Sequence, residues 1–243
     1  MKNIPLLAII IIFAIILIIL LAIIVFSKLS YEQSKMTPLE TCEVITGVYA
    51  INNGFVNCYL VKGDDGYLLI DAGNKKSQTE TALKELGIAP EGITDILLTH
   101  SDSDHTAALS IFPNARLYLP ETETQMIDGT TKRNFIMRNQ LDREYQSLKD
   151  EEVISIGGYS IQCIATPGHT PGSMSFLFDD QYLFVGDTMS LQNGKADLFS
   201  SFYNMDDDTQ KSSISKLAEF QIQYIFTGHH GYTDNPTAAF KNW

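Results

Sequence analysis

Basic residues are scarce in this chain of 243 residues, which has 17 Lys and Arg against 29 Asp and Glu and a formal net charge of −12. Proteins that bind DNA or RNA carry clustered Lys and Arg, because these side chains neutralise the phosphates. The acidic balance therefore argues against nucleic acid as a partner.

Cysteine is also rare, and its spacing lacks the pattern of a metal-binding or cross-linked domain. Cys42, Cys58 and Cys163 form no CxxC pair. A zinc ribbon needs such pairs and a disulfide framework needs a higher cysteine content, so the sequence argues against both. At most one disulfide could form, and the spacing does not decide whether it does.

Charge is absent from residues 4–26, a long apolar segment. A helix of that length spans about 34 Å, which is enough to cross a bilayer core of about 30 Å. A cleaved signal peptide is the alternative, but its apolar core is usually about 7–15 residues and a small-x-small cleavage site follows it. Neither feature is present, so we predict an uncleaved transmembrane anchor over residues 1–28, a linker over 29–42 and one soluble domain over 43–243.

Positive charge does not fix the orientation of this anchor, because Lys2 precedes the apolar segment and Lys28 follows it. An N-terminal anchor most often leaves the following domain outside the cytoplasm. We therefore expect a single-pass membrane protein whose soluble domain is extracytoplasmic.

Strand-like runs and helix-like segments alternate along the soluble domain. Runs such as GYLLIDAGN and ITDILLTH are typical of buried strands, and turn residues predict hairpins around residues 52–54, 157–158 and 179–180. Helical composition is found at residues 76–86, 121–149 and 207–220. This order predicts a layered α/β domain.

Three arginines lie in the segment 121–149, which we expect to cover the active site: Arg133, Arg138 and Arg143. They could attract an anionic small-molecule substrate, because guanidinium groups bind carboxylate and phosphate. The alternative is a solvated helix face without a functional role.

Histidine is scarce as well, and all five histidines lie at predicted strand-to-loop junctions beside Gly, Asp or Thr. The segment THSDSDHTAA (99–108) holds His100 and His105, TPGHTPGS (166–173) holds His169, and TGHHG (227–231) holds His229 and His230. Each one alone has an ordinary explanation as a turn residue or a hydrogen-bonded core histidine. The absence of histidine elsewhere indicates that they act together.

Three aspartates accompany these histidines: Asp102 and Asp104 lie between the first two, and Asp187 lies in FVGDT. Imidazole nitrogen and carboxylate oxygen are usual ligands of zinc, iron and manganese. Asp187 alone would be explained as a turn residue, but four ligand-type side chains in HSDSDH rarely serve a turn. The sequence therefore predicts a metal site with enough ligands for two ions.

The order of these motifs resembles the metallo-β-lactamase superfamily, whose signature is HxHxDH, a later His after Gly, a Gly-Asp pair and a final Gly-His. The matching residues are His100, Asp102, Asp104, His105, His169, Asp187 and His229. LLIDAG, which contains Asp71, is similar to an early strand and turn of the family, and the resemblance spans roughly residues 43–235. It implies an α/β fold, the αββα four-layer sandwich, in which two sheets lie between helices and metals bind at one edge.

The resemblance also implies two divalent metal ions, with zinc favoured and iron or manganese as alternatives. A first ligand set would bind one ion, and its members are His100, Asp102 and His169. A second ligand set would bind the other ion, and its members are Asp104, His105 and His229. Asp187 would bridge the two ions, and Asp71 would orient the ligands through hydrogen bonds.

Asp102 departs from the family signature, which has His at this position. The added carboxylate brings one more negative charge to the site and should raise the pKa of the activated water above the value of about 7 that zinc gives. Oxygen ligands also favour iron or manganese more than nitrogen ligands do. We therefore expect activity that rises with pH into the alkaline range.

The implied activity is that of a membrane-anchored, metal-dependent hydrolase. Since Asp187 matches the glyoxalase II-like branch of the family, a metal-bridging hydroxide would cleave an ester-like bond in a thioester, lactone or phosphodiester. Asp104 would orient the nucleophile. His230 would either protonate the leaving group or only cap its loop.

Two other classes stay open. Flavodiiron proteins resemble this fold and have a carboxylate at the position of Asp102, which would make the chain a diiron oxidoreductase, although we expect no room for their flavodoxin domain. A metal-binding protein without catalytic activity is the other interpretation. We also expect no glutathione-binding domain after His229, which argues against glyoxalase II itself.

Overall fold

Two compact units make up the chain, residues 1–36 and residues 37–243. The computed structural model describes residues 5–133 and 139–243. In the first unit, α1 (Leu6–Gln33) is a helix of 28 residues, none of which is buried. By its length and composition this helix could cross a membrane. It includes residues 29–33, which the sequence assigned to the linker.

The first sheet of the second unit has seven strands in the order of the sequence. They are β1 (Cys42–Ile45), β2 (Val48–Asn53), β3 (Val56–Lys62), β4 (Tyr67–Ile70), β5 (Ile93–Leu97), β6 (Arg116–Pro120) and β7 (Gln146–Leu148). Pairing is antiparallel from β1 to β4 and parallel from β4 to β7. The hairpin predicted around residues 52–54 is the pair β2–β3.

The second sheet has six strands, and its order is β15-β14-β11-β10-β9-β8. They are β8 (Val153–Ile156), β9 (Tyr159–Ala165), β10 (Met174–Phe178), β11 (Tyr182–Gly186), β14 (Tyr224–Thr227) and β15 (Tyr232–Thr233). A separate small hairpin consists of β12 (Ser190–Gln192) and β13 (Lys195–Asp197). The two predicted hairpins of this region are the antiparallel pairs β8–β9 and β10–β11, whereas β11 and β14 are parallel.

Helices lie between these strands along the chain, and one follows β15. They are α2 (Lys76–Leu86), α3 (Ser103–Thr106), α4 (Thr124–Asp128), α5 (Asp207–Leu217) and α6 (Pro236–Ala239). As predicted, α2 ends before Gly87, which has a left-handed φ of +69°. The carboxylate of Asp206 caps the N-terminus of α5, where it accepts hydrogen bonds from the N–H groups of Asp208 and Thr209.

Three hydrophobic cores define the layers of the second unit. The facing sides of the two sheets share one core, in which Val61 of β3 and Phe176 of β10 are both fully buried. The outer side of the first sheet forms a second core with α2, through Leu83. The outer side of the second sheet forms a third core, which includes Leu177 of β10 and Ile214 of α5. This order of helix, sheet, sheet and helix is the predicted αββα four-layer sandwich.

Residues 121–149 differ from their prediction as a mainly helical segment. Glu121–Glu123 is one 3₁₀ turn, α4 has five residues, and the segment ends in strand β7. The helix α4 stops because Gly129 adopts a left-handed φ of +82°. Residues 134–138, which include the predicted Arg138, lie outside the described residues.

Candidate metal centre

The carboxyl ends of five strands bring the candidate residues to one edge of the sandwich. The residues that follow these ends are Asp71 after β4, His100 after β5, His169 after β9, Asp187 after β11 and His229 after β14. Because β4 and β5 are parallel neighbours, and β11 and β14 are too, their carboxyl ends lie side by side. Side chains that are far apart in the sequence therefore meet at this edge, where ligands bind in many α/β proteins.

The first ligand set forms a cluster whose ligand atoms all lie within 4.8 Å of one another. Asp102 Oδ2 is 3.1 Å from His169 Nε2 and 3.6 Å from His100 Nε2. Both imidazoles are buried, whereas 15% of the Asp102 side chain is exposed. The cluster is therefore accessible from solvent on the side of Asp102.

The second ligand set forms another such cluster. Asp104 Oδ2 is 3.7 Å from His105 Nε2 and 3.6 Å from His229 Nε2. Asp187 lies between the two sets, since its Oδ2 is 3.1 Å from His229 Nε2 and 3.3 Å from His169 Nε2. The structure thus brings all seven candidate ligands together. Metal binding by these residues stays a prediction.

Each of the four imidazoles in these sets is held at Nδ1, and its Nε2 faces the cluster. The Nδ1 partners are Thr99 Oγ1 for His100 (2.9 Å), Asp71 Oδ2 for His105 (2.9 Å), Asn204 Oδ1 for His169 (3.4 Å) and Phe55 O for His229 (2.6 Å). A proton on Nδ1 leaves the lone pair of Nε2 available to a metal ion. Asp71 has the orienting position that the resemblance implied.

Unpartnered polar atoms in the cluster test whether divalent ions fit there. Among the described residues, the buried atoms His100 Nε2, His105 Nε2 and Asp187 Oδ1 have no hydrogen-bond partner. Buried polar atoms are otherwise nearly always satisfied. Ligand atoms around a tetrahedral zinc ion lie about 3.3 Å apart, given metal–nitrogen distances of about 2.0–2.1 Å. The carboxylate–imidazole separations within the two sets, 3.1–3.7 Å, are close to that spacing, so these residues fit two divalent ions.

Opposite charges at the centre shift the pKa values of its buried groups. Burial alone would lower the pKa of His105, but the carboxylates of Asp187, Asp71 and Asp104 outweigh it and raise that pKa well above its ordinary value. Burial alone would raise the pKa of Asp187, but His229 and other imidazoles hold it well below its ordinary value. Asp187 is therefore ionised at neutral pH and the centre attracts cations.

Arg133 and Asn139 hold the Asp102 carboxylate from the solvent side. Arg133 Nη2 donates to Asp102 Oδ2 and lies 3.0 Å from His169 Nε2, while Nη1 donates to the carbonyl of Tyr203. Asn139 Nδ2 donates to Asp102 Oδ1 at 2.9 Å. Burial alone would raise the pKa of Asp102, but hydrogen bonds to the imidazoles of the first ligand set and the Arg133 charge keep it well below its ordinary value.

Arg143, the other described arginine of this segment, points elsewhere. Its Nη1 donates to the carbonyls of Phe112 at 2.7 Å and Leu109 at 3.3 Å. Arg143 therefore stabilises a turn after α3, and Arg133 is the arginine that contacts the candidate ligands.

Sequence reasoning missed two residues that contact a candidate ligand or its neighbours in the chain. One is Asn139, and the other is Glu123, a buried carboxylate that accepts hydrogen bonds from Ser101 and Thr170 beside the candidate ligands. Neither belongs to a motif. Since the partners of Glu123 are 22 and 47 residues away in the sequence, no local signal indicates them.

His230 lies next to the second ligand set but belongs to neither cluster. Its backbone N–H donates to Thr227 Oγ1 at 2.9 Å, and its ring lies 6.1 Å from that of Phe199. Burial, together with the charge of His229, lowers the pKa of His230 to about 4, so the imidazole is neutral at pH 7. A catalytic role for His230 stays a prediction.

Comparison with known proteins identifies the family. A family model described as the metallo-beta-lactamase superfamily matches residues 51–229. The chain belongs to the metallo-beta-lactamase superfamily. A probable metallo-hydrolase of Methanocaldococcus jannaschii is 29% identical over 166 residues, with 68% of this chain and 71% of that protein covered. The probable polyketide biosynthesis zinc-dependent hydrolase PksB of Bacillus subtilis is 32% identical over 142 residues, with 56% of each chain covered.

A solved structure shares this fold. A metallo-beta-lactamase family protein of Thermus thermophilus has a TM-score of 0.61 at 21% identity, with 82% of this chain and 78% of that chain covered. At such low identity the likeness concerns the fold alone. Together, the superfamily and the named relatives indicate metal-dependent hydrolase activity in general, without specifying a substrate.

Proposed function

We propose that this superfamily member cleaves an ester-like bond, in a thioester, lactone or phosphodiester, at a centre of two divalent ions. The observation that carries the proposal is the convergence of four imidazoles and two carboxylates in two ligand sets, with the carboxylate of Asp187 between them. Zinc is the favoured ion, which the zinc-dependent relative PksB supports, with iron or manganese as alternatives because of the oxygen ligand Asp102. Bound divalent ions would polarise the substrate oxygen and activate water.

The solvent-facing rim of the centre would receive the substrate. Three side chains on this rim are partly exposed: Asp102 (15%), Asp104 (24%) and Arg133 (26%). Asp104 would accept a hydrogen bond from the attacking water and orient it. Arg133 would attract a substrate with an acidic group, because a partly exposed guanidinium binds carboxylate or phosphate. His230, neutral at pH 7, would donate a hydrogen bond to the leaving group.

The helix α1 is proposed to anchor the chain in a membrane by a single span, with the hydrolase unit outside the cytoplasm. Its 28 residues extend about 42 Å, which exceeds a bilayer core of about 30 Å. Its apolar side chains are exposed on all sides, as lipid contact requires.

Turnover by the full-length chain in detergent tests the proposal. The chain would be loaded with zinc, manganese or iron and assayed against thioesters, lactones and phosphodiesters. We expect hydrolysis of at least one class, and we expect Asp187→Asn to reduce it by more than about 100-fold, since Asp187 contacts both ligand sets. Asp234→Asn, at an exposed position away from the centre, is the control.

Other outcomes point to the other classes. Consumption of oxygen or nitric oxide by the iron-loaded chain, without hydrolysis, would favour the diiron oxidoreductase. The carboxylate at position 102 is the observation that supports this alternative. Full metal occupancy without turnover of any kind would favour a metal-binding protein.

A further inference from the structure

Glu123 is a charged residue in the interior whose carboxylate is fully enclosed by donors. It ends the 3₁₀ turn after β6, and none of its surface is exposed. Oε1 accepts from the backbone N–H of Ser101 at 2.9 Å and from its hydroxyl at 2.6 Å. Oε2 accepts from the Thr170 hydroxyl at 2.7 Å and from the N–H of Gly172 at 3.1 Å. Four donors compensate the cost of burying this carboxylate.

The donors to Glu123 come from the two loops that carry the first ligand set. Ser101 stands between His100 and Asp102, and Thr170 directly follows His169. One carboxylate therefore joins all three ligand positions of that set, although β5 and β9 belong to different sheets. No hydrogen bond within the described residues joins Glu123 to the second ligand set.

Close backbone contact fixes the position of this carboxylate. A Cβ added to Gly172 would lie 2.2 Å from the backbone nitrogen of Glu123, so the two segments touch. The network also reaches the side chain of Asp102 through two residues, because Asn139 Nδ2 donates to Ser101 Oγ at 2.7 Å and to Asp102 Oδ1 at 2.9 Å. The orientation of Asp102 thus depends on Glu123 through Ser101 and Asn139.

We propose that Glu123 is a positioning residue that sets the metal affinity of the first ligand set and leaves that of the second set largely unchanged. The inference rests on the proposed function, since it concerns the same centre. Its chemical basis is that a carboxylate only accepts hydrogen bonds, whereas an amide of the same shape has an N–H₂ group. In Glu123→Gln, that N–H₂ group would face the backbone N–H of either Ser101 or Gly172. Because a backbone N–H can only donate, the two donors would repel each other and one loop would shift.

Stepwise metal titration of the full-length chain in detergent tests this assignment. Zn²⁺ and Co²⁺ would be titrated against a chromophoric chelator, with Co²⁺ absorption bands as the second readout. We expect Glu123→Gln to lower the affinity for one of the two ions by about 10–100-fold, which is the usual loss for residues that orient metal ligands. The affinity for the other ion should change by less than about threefold. Glu121→Gln, in the same turn but exposed, should bind both ions as the wild type does.

A second substitution identifies the affected ion. In Asp102→Asn, which already impairs the first ligand set, the remaining ion is that of the second set, which Glu123 does not contact. Adding Glu123→Gln should therefore change the affinity for this ion by less than about threefold. If Glu123→Gln does not fold, Thr170→Val removes a single donor while keeping its shape, and it should weaken the same ion several-fold. The inference would be overturned if Glu123→Gln lowered the affinity for both ions equally, or if folded Glu123→Gln bound both ions as the wild type does. It would also be overturned if Thr170→Val left both metal affinities unchanged. Absence of metal binding in the wild type would overturn the proposed function instead.

Discussion

Asp102 gives the centre a carboxylate at a position where the family signature has His. Its Oδ2 faces the two imidazoles of the first ligand set and its Oδ1 is held by Asn139. We predict that Asp102→His shifts the rise of kcat/KM toward lower pH, because a neutral imidazole removes one negative charge and favours ionisation of the activated water. The measurement is the pH profile of hydrolysis between about pH 5 and pH 10.

Asp142→His is the matched control, since Asp142 is an exposed aspartate of the neighbouring segment. It should leave the profile in place. An Asp102→His profile that coincides with that of the wild type would contradict the charge argument.

The candidate ligands could be predicted from the sequence because their spacing repeats a known motif and because the chain has only one other histidine, His230. Arg133 and Arg143 could not be distinguished in this way. Both lie in one polar segment, but Arg133 reaches Asp102 while Arg143 bonds to backbone carbonyls. Only the path of the chain after α4 decides between these roles, and composition does not encode that path.

At the scale of elements, Gly228 in the loop after β14 packs closely against the candidate metal ligands and leaves no space for a larger residue. A Cβ at this position would lie 2.4 Å from Asp187 Oδ1 and 3.1 Å from His105 Cε1. We predict that Gly228→Ala displaces Asp187 and weakens metal binding by at least about tenfold, at a cost of about 1–3 kcal/mol in the free energy of unfolding. Metal titration and thermal unfolding measure the two effects.

Gly92→Ala is the control, because a Cβ there would meet nothing within 4 Å. It should keep both metal affinity and stability. Normal metal binding by Gly228→Ala would show that Asp187 has room to move and that this close contact is unimportant.

Strands and hairpins were predicted more successfully than the segment 121–149. The buried strands carry continuous apolar runs, and their turns contain residues that favour a left-handed backbone, such as Gly157 and Asp179. Residues 121–149 contain many helix-forming side chains, yet Gly129 ends α4, and β7 pairs with β6 as the edge strand of the first sheet. Tertiary pairing overrides local propensity there.

At the scale of the whole molecule, the order of elements predicts a layered α/β domain but not the division into two sheets. That division depends on which faces bury each other. Phe176 and Leu177 are adjacent in β10, yet one lies in the core between the sheets and the other in the core beneath α5. A strand buried on both faces lacks the alternation that would reveal its two sides, so the resemblance to a family was needed.

The division into two units leads to a prediction about residues 1–36. All seven candidate ligands and all three described cores lie within residues 37–243. We predict that the full chain stays in the membrane fraction after alkaline extraction, while the fragment 37–243 is soluble and binds the same number of metal ions. Protease added to intact spheroplasts should cleave the full chain, because the hydrolase unit is proposed to lie outside the cytoplasm.

A variant with Ile16→Arg and Leu20→Arg keeps the length of α1 but places two charges near the middle of its apolar segment. Each charge costs about 2.5–3.5 kcal/mol on insertion scales, so this variant should leave the membrane fraction. If it stayed there, or if the fragment 37–243 sedimented with membranes as well, the second unit itself would have to bind the lipid surface, and α1 would not be the anchor.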